Sequence, residues 1–181
     1  MGSTSPRTHS RSRRLHANGS EYLSITLAEF KNLKGLADRA LAQVSEPDFF
    51  SQLDSESNSL AHIVKHLGGN LRSRWTDFLT TDGEKPDRNR DAEFEREKAD
   101  TRNSAMRAWE EGWQRCFGTL GSLKPADMSA TITIKGDALN AQVAIQRALA
   151  HTAQHVGQIV LLAKHFAGED WKTLSVPRKR T

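Results

Sequence analysis

Residues 137–166 read DALNAQVAIQRALAHTAQHVGQIVLLAKHF, and their reading decides the fold. Ile145, Leu149, Thr152, Val156, Ile159, Val160 and Ala163 recur at helical spacing along one side, and Gly168 just beyond predicts the helix end. A long helix with one apolar stripe has to bury that stripe against partners. Three further stretches supply them. Over 57–80 the stripe is Leu60, Ile63, Val64, Leu67, Leu71, Trp75 and Phe78, with Ser57 or Asn58 able to cap its start. Over 21–44 it is Leu23, Leu27, Phe30, Ala37, Leu41 and Val44, stopped by Glu46-Pro47-Asp48. Over 91–120 Phe94 opens a helix whose second half carries Met106, Trp109, Trp113, Cys116, Phe117 and Leu120. The alternating, β-branched run 131–135 predicts one short strand before the last helix. The charged stretch 81–90, with its Asp-Gly and Lys-Pro breakers, reads as a solvated loop. The expectation is an all-α protein, a four-helix bundle with at most one short strand. A disordered basic tail is expected over 1–20, the bundle over 21–167 and a C-terminal tail over 168–181.

At 181 residues, with 36% hydrophobic residues, the chain suits a single domain with one core. No apolar run reaches the roughly 18 residues of a membrane span, and the first residues lack the apolar stretch of a secretory leader. A soluble, cytoplasmic protein is therefore expected. The lone Cys116, inside an apolar run, cannot make an internal disulfide and reads as a buried, inert thiol. The formal charge of +4 lies in the tails. Seven of the 26 basic residues are Arg7, Arg11, Arg13, Arg14, Arg178, Lys179 and Arg180, which leaves 19 against 22 acids in the body. Composition thus predicts no nucleic-acid partner and no membrane partner.

The histidines carry the chemistry. His151 and His155 are four residues apart, which on a helix stacks two imidazoles within reach of one ion. By helical projection His155 lies roughly 70° and His151 roughly 110° from the centre of their helix's apolar stripe. His62 and His66 share the same spacing. His66 lies roughly 125° from its own stripe centre, whereas His62 points almost directly away, so His66 is the better third ligand. Three neutral imidazoles suit zinc, nickel, copper or iron and leave coordination positions open. His151 is followed by Thr152, so the Glu of the zinc-protease helix is missing, as is the Glu-x-x-His pattern of di-iron bundles.

The stretch 58–67, NSLAHIVKHL, resembles the second-helix motif of the DinB-like (YfiT-type) superfamily, in which a Ser precedes the first metal histidine by seven residues. The stretch 151–159, HTAQHVGQI, resembles that superfamily's fourth-helix motif, which supplies two more ligands and ends in Gly-Gln-Ile. The segments 69–79 and 82–86 resemble an uncharacterised subgroup of it. The resemblance implies a four-helix fold, a divalent metal on His66, His151 and His155, zinc or nickel first, and a low-molecular-weight thiol as a candidate co-substrate. It says much less about a reaction, because fold does not fix chemistry.

Two functional expectations follow. One is a metal-dependent transferase or hydrolase acting on a small thiol or electrophile. The other is a non-catalytic, stress-associated or binding protein whose metal, if any, only ties helices together. No residue reads as an obvious general base, so the catalytic residues stay unassigned. Asn70 and Gln158, one turn from His66 and His155, are candidates for orienting ligands or substrate. Arg74 lies eight residues from His66, about 12 Å along the helix and roughly 80° around it, a distance suited to the far end of an anionic substrate. The bland alternative pairs Arg72 and Arg74 with Asp77 or Glu84. A homodimer through an apolar bundle face is compatible with either expectation.

Overall fold

The computed structural model describes residues 7–176, with side chains from residue 19. Its long helices are α1 (Arg7–Leu41), α3 (Leu60–Trp75), α4 (Arg102–Ser122) and α5 (Ala141–Ala167), with a short α2 (Glu46–Phe50) between the first two. Two four-residue strands, β1 (Thr131–Ile134) and β2 (Asp137–Asn140), precede α5. The protein is an all-α bundle carrying one small hairpin. Helix α3 packs chiefly on α4, α1 chiefly on α5, and α3 also meets α5.

The elements begin where local chemistry lets them. Ser59 caps α3 by accepting from the His62 amide at 3.2 Å, Thr101 caps α4 from the Ser104 amide at 3.1 Å, and Asn140 caps α5 from the Gln142 amide at 3.0 Å. Pro47 sits in the first turn of α2, where its missing N–H costs nothing. Thus Glu46-Pro47-Asp48 both ends the first helix region and starts a new turn. Helix α1 begins at Arg7, where the sequence placed its start near residue 21. Propagating a formed helix needs only one hydrogen bond per added residue, not an apolar face. Residues 1–6 of the expected basic tail and residues 177–181 of the C-terminal tail lie outside the described residues.

Two expectations are corrected. The single strand is one arm of an antiparallel hairpin, Thr131 facing Asn140 and Ile134 facing Asp137, so the first four residues assigned to the last helix are strand instead. Lys135 and Gly136 turn the corner with φ of 55° and 81°, as a tight two-residue turn requires. The third helix starts at Arg102, not near residue 91; Asp91–Phe94 is an isolated 3₁₀ turn followed by irregular chain with a turn closed by the Asp100 amide on the Glu97 carbonyl.

The core is aromatic. Phe30, Trp75, Trp109 and Trp113 are fully buried, and Phe30 meets Trp75 and Trp113 edge-on with ring centroids 5.7 and 6.3 Å apart. The tightest crossing joins α3 to α4 at two glycines. A Cβ at Gly68 would fall 2.8 Å from the Ala108 carbonyl, and one at Gly112 would fall 2.6 Å from the Gly68 carbonyl oxygen. Backbone cannot yield as a flexible side chain can, so Gly112→Ala is expected to lower stability by about 1–3 kcal/mol. Gly118, also in α4 but facing open space, is expected to gain about 0.5–1 kcal/mol on substitution by Ala. Urea unfolding midpoints check both; equal effects at the two sites would refute the crossing.

Candidate metal centre

The three histidines expected from spacing come together. His66 comes from the middle of α3, while His151 and His155 come from successive turns of α5. Their ligating nitrogens all lie within 4.8 Å of one another, close enough to hold a metal ion. His151 Nε2 stands 3.3 Å from His66 Nε2 and 3.2 Å from His155 Nε2. At metal–nitrogen bonds of about 2.05 Å, nitrogens roughly 3.3 Å apart subtend about 105° at a shared ion, near the tetrahedral angle.

The remaining ring nitrogens decide which lone pairs face inward. His66 Nδ1 lies 2.9 Å from Glu93 Oε2, and a carboxylate only accepts, so Nδ1 carries the proton and Nε2 presents its lone pair. His155 Nδ1 lies 2.7 Å from Gln158 Oε1 with the same consequence. Two lone pairs therefore converge beside His151 Nε2, an arrangement that a cation satisfies and a single proton does not. The donor set fits a divalent ion of the zinc or nickel type.

Glu93 is the residue that sequence reading missed. It sits in the turn Asp91–Phe94, buried, and receives Arg88 through two parallel hydrogen bonds of 2.8 Å each. Arg88 also reaches Glu84 at 3.2 Å. Gly69 makes room, since a Cβ there would run into the Glu93 carboxylate. Phe94 packs its ring on His66 with centroids 4.8 Å apart. No local pattern announces Glu93, because its partner lies 27 residues earlier. The adjacent Gly68-Gly69 pair inside a helix was the one available signal of close approach.

His62, expected to point outward, is buried, with its Nδ1 accepting from the Ser59 amide in the α3 cap. It plays a structural part and lies outside the trio. The outer face of α3 is covered by the segment between α3 and α4, so that loop is more than solvated surface. Asp82 accepts from the Lys135 and Gly136 amides, each at 2.8 Å, and Gly83 N–H donates to Thr133 O at 2.7 Å. The loop is thereby fastened to the hairpin.

Beside the histidines opens a cleft of about 500 Å³, lined by residues that include Asn70, Arg74 and Arg147. Arg74 pairs with Glu84 at 3.5 Å while lining it, and Arg72 points elsewhere, exposed and 3.2 Å from Asp87. Gln158 serves His155 and is not among the lining residues. Burial, then the neighbouring His155 and His66, then Arg74 and Arg88, push His151 down to about 4. Burial also lowers His155, with the Gln158 hydrogen bond opposing it. Burial works against ionisation of Glu93, yet His66 and Arg88 hold it below the ordinary range. Burial alone pushes the Cys116 thiol well up, as an inert core thiol requires.

Three imidazoles converging in a helical bundle define a candidate metal-binding helical protein. The chain belongs to the family described as Protein of unknown function (DUF1572), whose model matches residues 17–180. No curated protein and no solved structure matches it.

Because unfolding returns His151 from about 4 to the ordinary value of about 6.5, the unfolded chain binds more protons across that window. Metal-free protein is therefore expected to lose stability as pH falls from about 6.5 toward about 4, and His151→Ala to flatten that slope. Urea midpoints through this range test it; a slope unchanged in the variant would refute the assignment. Glu93→Gln, which keeps the shape but removes the charge facing His66, is expected to weaken zinc binding about 10- to 100-fold. Competition with a chromophoric chelator measures this, and an unchanged affinity would remove Glu93 from the site.

Proposed function

We propose that this protein is a DinB-like metal-dependent enzyme, a transferase or hydrolase acting on a small thiol or electrophilic substrate. The observation that carries the reading is that His66, His151 and His155 aim their nitrogens at one point beside an open cleft, with no fourth protein ligand among the described residues to close it. Bound there, a divalent ion would supply Lewis acidity, lowering the pKa of a thiol or water in the cleft.

The chain's own residues do the rest. His66 is held in one tautomer by Glu93, and Glu93 is held by Arg88, so the imidazole keeps its aim without help from substrate. Gln158 does the same for His155. Phe94 packs against one face of the buried His66 ring. Arg74 at the cleft wall is the substrate anchor of this reading, and Asn70 offers an amide between it and the histidines. The substrate is a small molecule; nucleic acid and membrane are not partners in this reading, the protein works in the cytoplasm, and a homodimer is compatible with it. Among the described residues no helix is long and apolar enough to cross a membrane.

A second reading, a metal that only ties α3 to α5, has one observation in its favour. Glu93 beside His66 and Glu84 on the cleft wall are both engaged by arginines, and neither is free to act as a general base. Elemental analysis of purified protein is expected to find about one zinc or nickel per chain, with Ala at His66, His151 or His155 reducing it severely and His62→Ala sparing it. Full metal content in His66→Ala, or none in wild type, would end the metal reading. Full activity in a metal-stripped protein would end the catalytic one.

A further inference from the structure

The cleft beside the histidines is strongly basic. It is lined by Arg74, Arg88, Arg90, Lys135 and Arg147 against one carboxylate, Glu84. Two of these cations are accounted for: Arg88 is consumed by Glu93 and Glu84, and Arg90 lies over the Phe94 ring, 5.2 Å from its centroid. The other three are not. Arg74 has only the 3.5 Å contact to Glu84, and its Nη1 is buried against Gly83 without a partner. Lys135 and Arg147 form no ion pair among the described residues. Arg147 and Arg88 oppose the charge on Arg74 while Glu84 and, at longer range, Asp82 favour it, and a guanidinium with an unpartnered buried N–H carries a desolvation cost that structures seldom leave uncompensated.

These cations are also built into position. Arg147 is one turn before His151 and two before His155, so the three share a face of α5, with Arg147 about 6 Å along the axis from His151. Ala144 and Ala148 on the same stretch are small and leave the cleft open there. Lys135 projects from the hairpin turn, whose two amides are both held by Asp82. Arg74 approaches from α3, packed against Gly83 of the fastened loop. Three elements thus present positive charge to one volume at a fixed offset from the histidines.

We infer that the cleft is a preorganised oxyanion-binding site, formed by Arg74, Lys135 and Arg147, and that the substrate is a small molecule bearing a phosphate or carboxylate about 6–12 Å from its reacting end. This rests on the metal-centred reading for which end reacts, but the anion site itself does not need the metal. A planar carboxylate would be satisfied by one guanidinium fork, whereas a phosphate monoester can engage all three cations at once.

Calorimetric titration of inorganic phosphate and, separately, of succinate into the metal-free full-length protein tests the inference. At least one anion is expected to bind saturably, and the exposed pair Arg147→Met and Lys135→Met together to weaken it tenfold or more, while zinc affinity stays within about twofold of wild type. The single variant Arg74→Met, checked for folding by circular dichroism, is expected to weaken the same anion similarly. Whichever anion binds more tightly names the oxyanion. Absence of saturable binding by either, or equal affinity in wild type and the double variant, overturns the inference. Zinc titrated in parallel separates the two ideas: zinc binding without anion binding sinks this inference alone, and anion binding without zinc binding sinks the metal reading alone.

Discussion

Much of this structure depends on how closely α3 lies against α4. With glycine at 68 and 112 the two backbones come within a distance that no Cβ could share, and α3 sinks into the bundle far enough for its outer face to be covered as well. A helix at the surface would have shown that face to water. Here the segment between α3 and α4 folds over it and delivers Glu93 to His66, passing α3 at Gly69. One small residue thus sets the depth of the helix and the next admits the carboxylate that aims the ligand.

The site that results is a balance of buried charge. An ionised carboxylate away from water is costly unless charge and hydrogen bonds answer it, and Glu93 receives both from Arg88 and His66. That arrangement fixes the orientation of the His66 ring, with Nδ1 turned to the carboxylate and Nε2 turned to the other histidines. On α5 the lowered basicity of His151 and His155 keeps those two imidazoles in the form that binds a metal. Both features prepare the trio before any ligand arrives, which is how a site avoids spending binding energy on its own ordering.

Opposite the histidines the charge is unbalanced, and the difference has a structural cause. Glu84 must serve Arg88 as well as Arg74, and Lys135 of the hairpin and Arg147 of α5 join the cleft wall without a further acid lining it. Asp82, which reaches the hairpin turn from the loop, is engaged by backbone amides and so acts as a fastener. The polarity of the cleft therefore follows from which acids the fold uses for holding itself together.

Helical periodicity alone determined the four long helices and the all-α class, because the spacing of Leu60, Ile63, Val64, Leu67 and Leu71 or of Ile145, Leu149, Val156 and Ile159 is a local property of the chain. It also determined which histidines could share an ion: four-residue spacing is fixed by the helix itself. Arg74 and Gln158 were legible as polar neighbours one or two turns from the histidines, Gln158 as a residue able to orient a ligand or substrate and Arg74 as one suited to the far end of an anionic substrate. Tertiary structure decided the rest. The second strand had no pattern of its own, since Asp137–Asn140 is held by pairing with Thr131–Ile134 rather than by propensity. Helical projection already favoured His66 over His62 as a ligand, but that His62 is buried in the helix cap, and not turned to water, was settled only by packing. Glu93, Arg88, Lys135 and Arg147 carry no local signature, because their roles are contacts between elements far apart in the chain. Periodicity reports a residue's position relative to its own helix axis; which group lies across from it is set only when the elements pack.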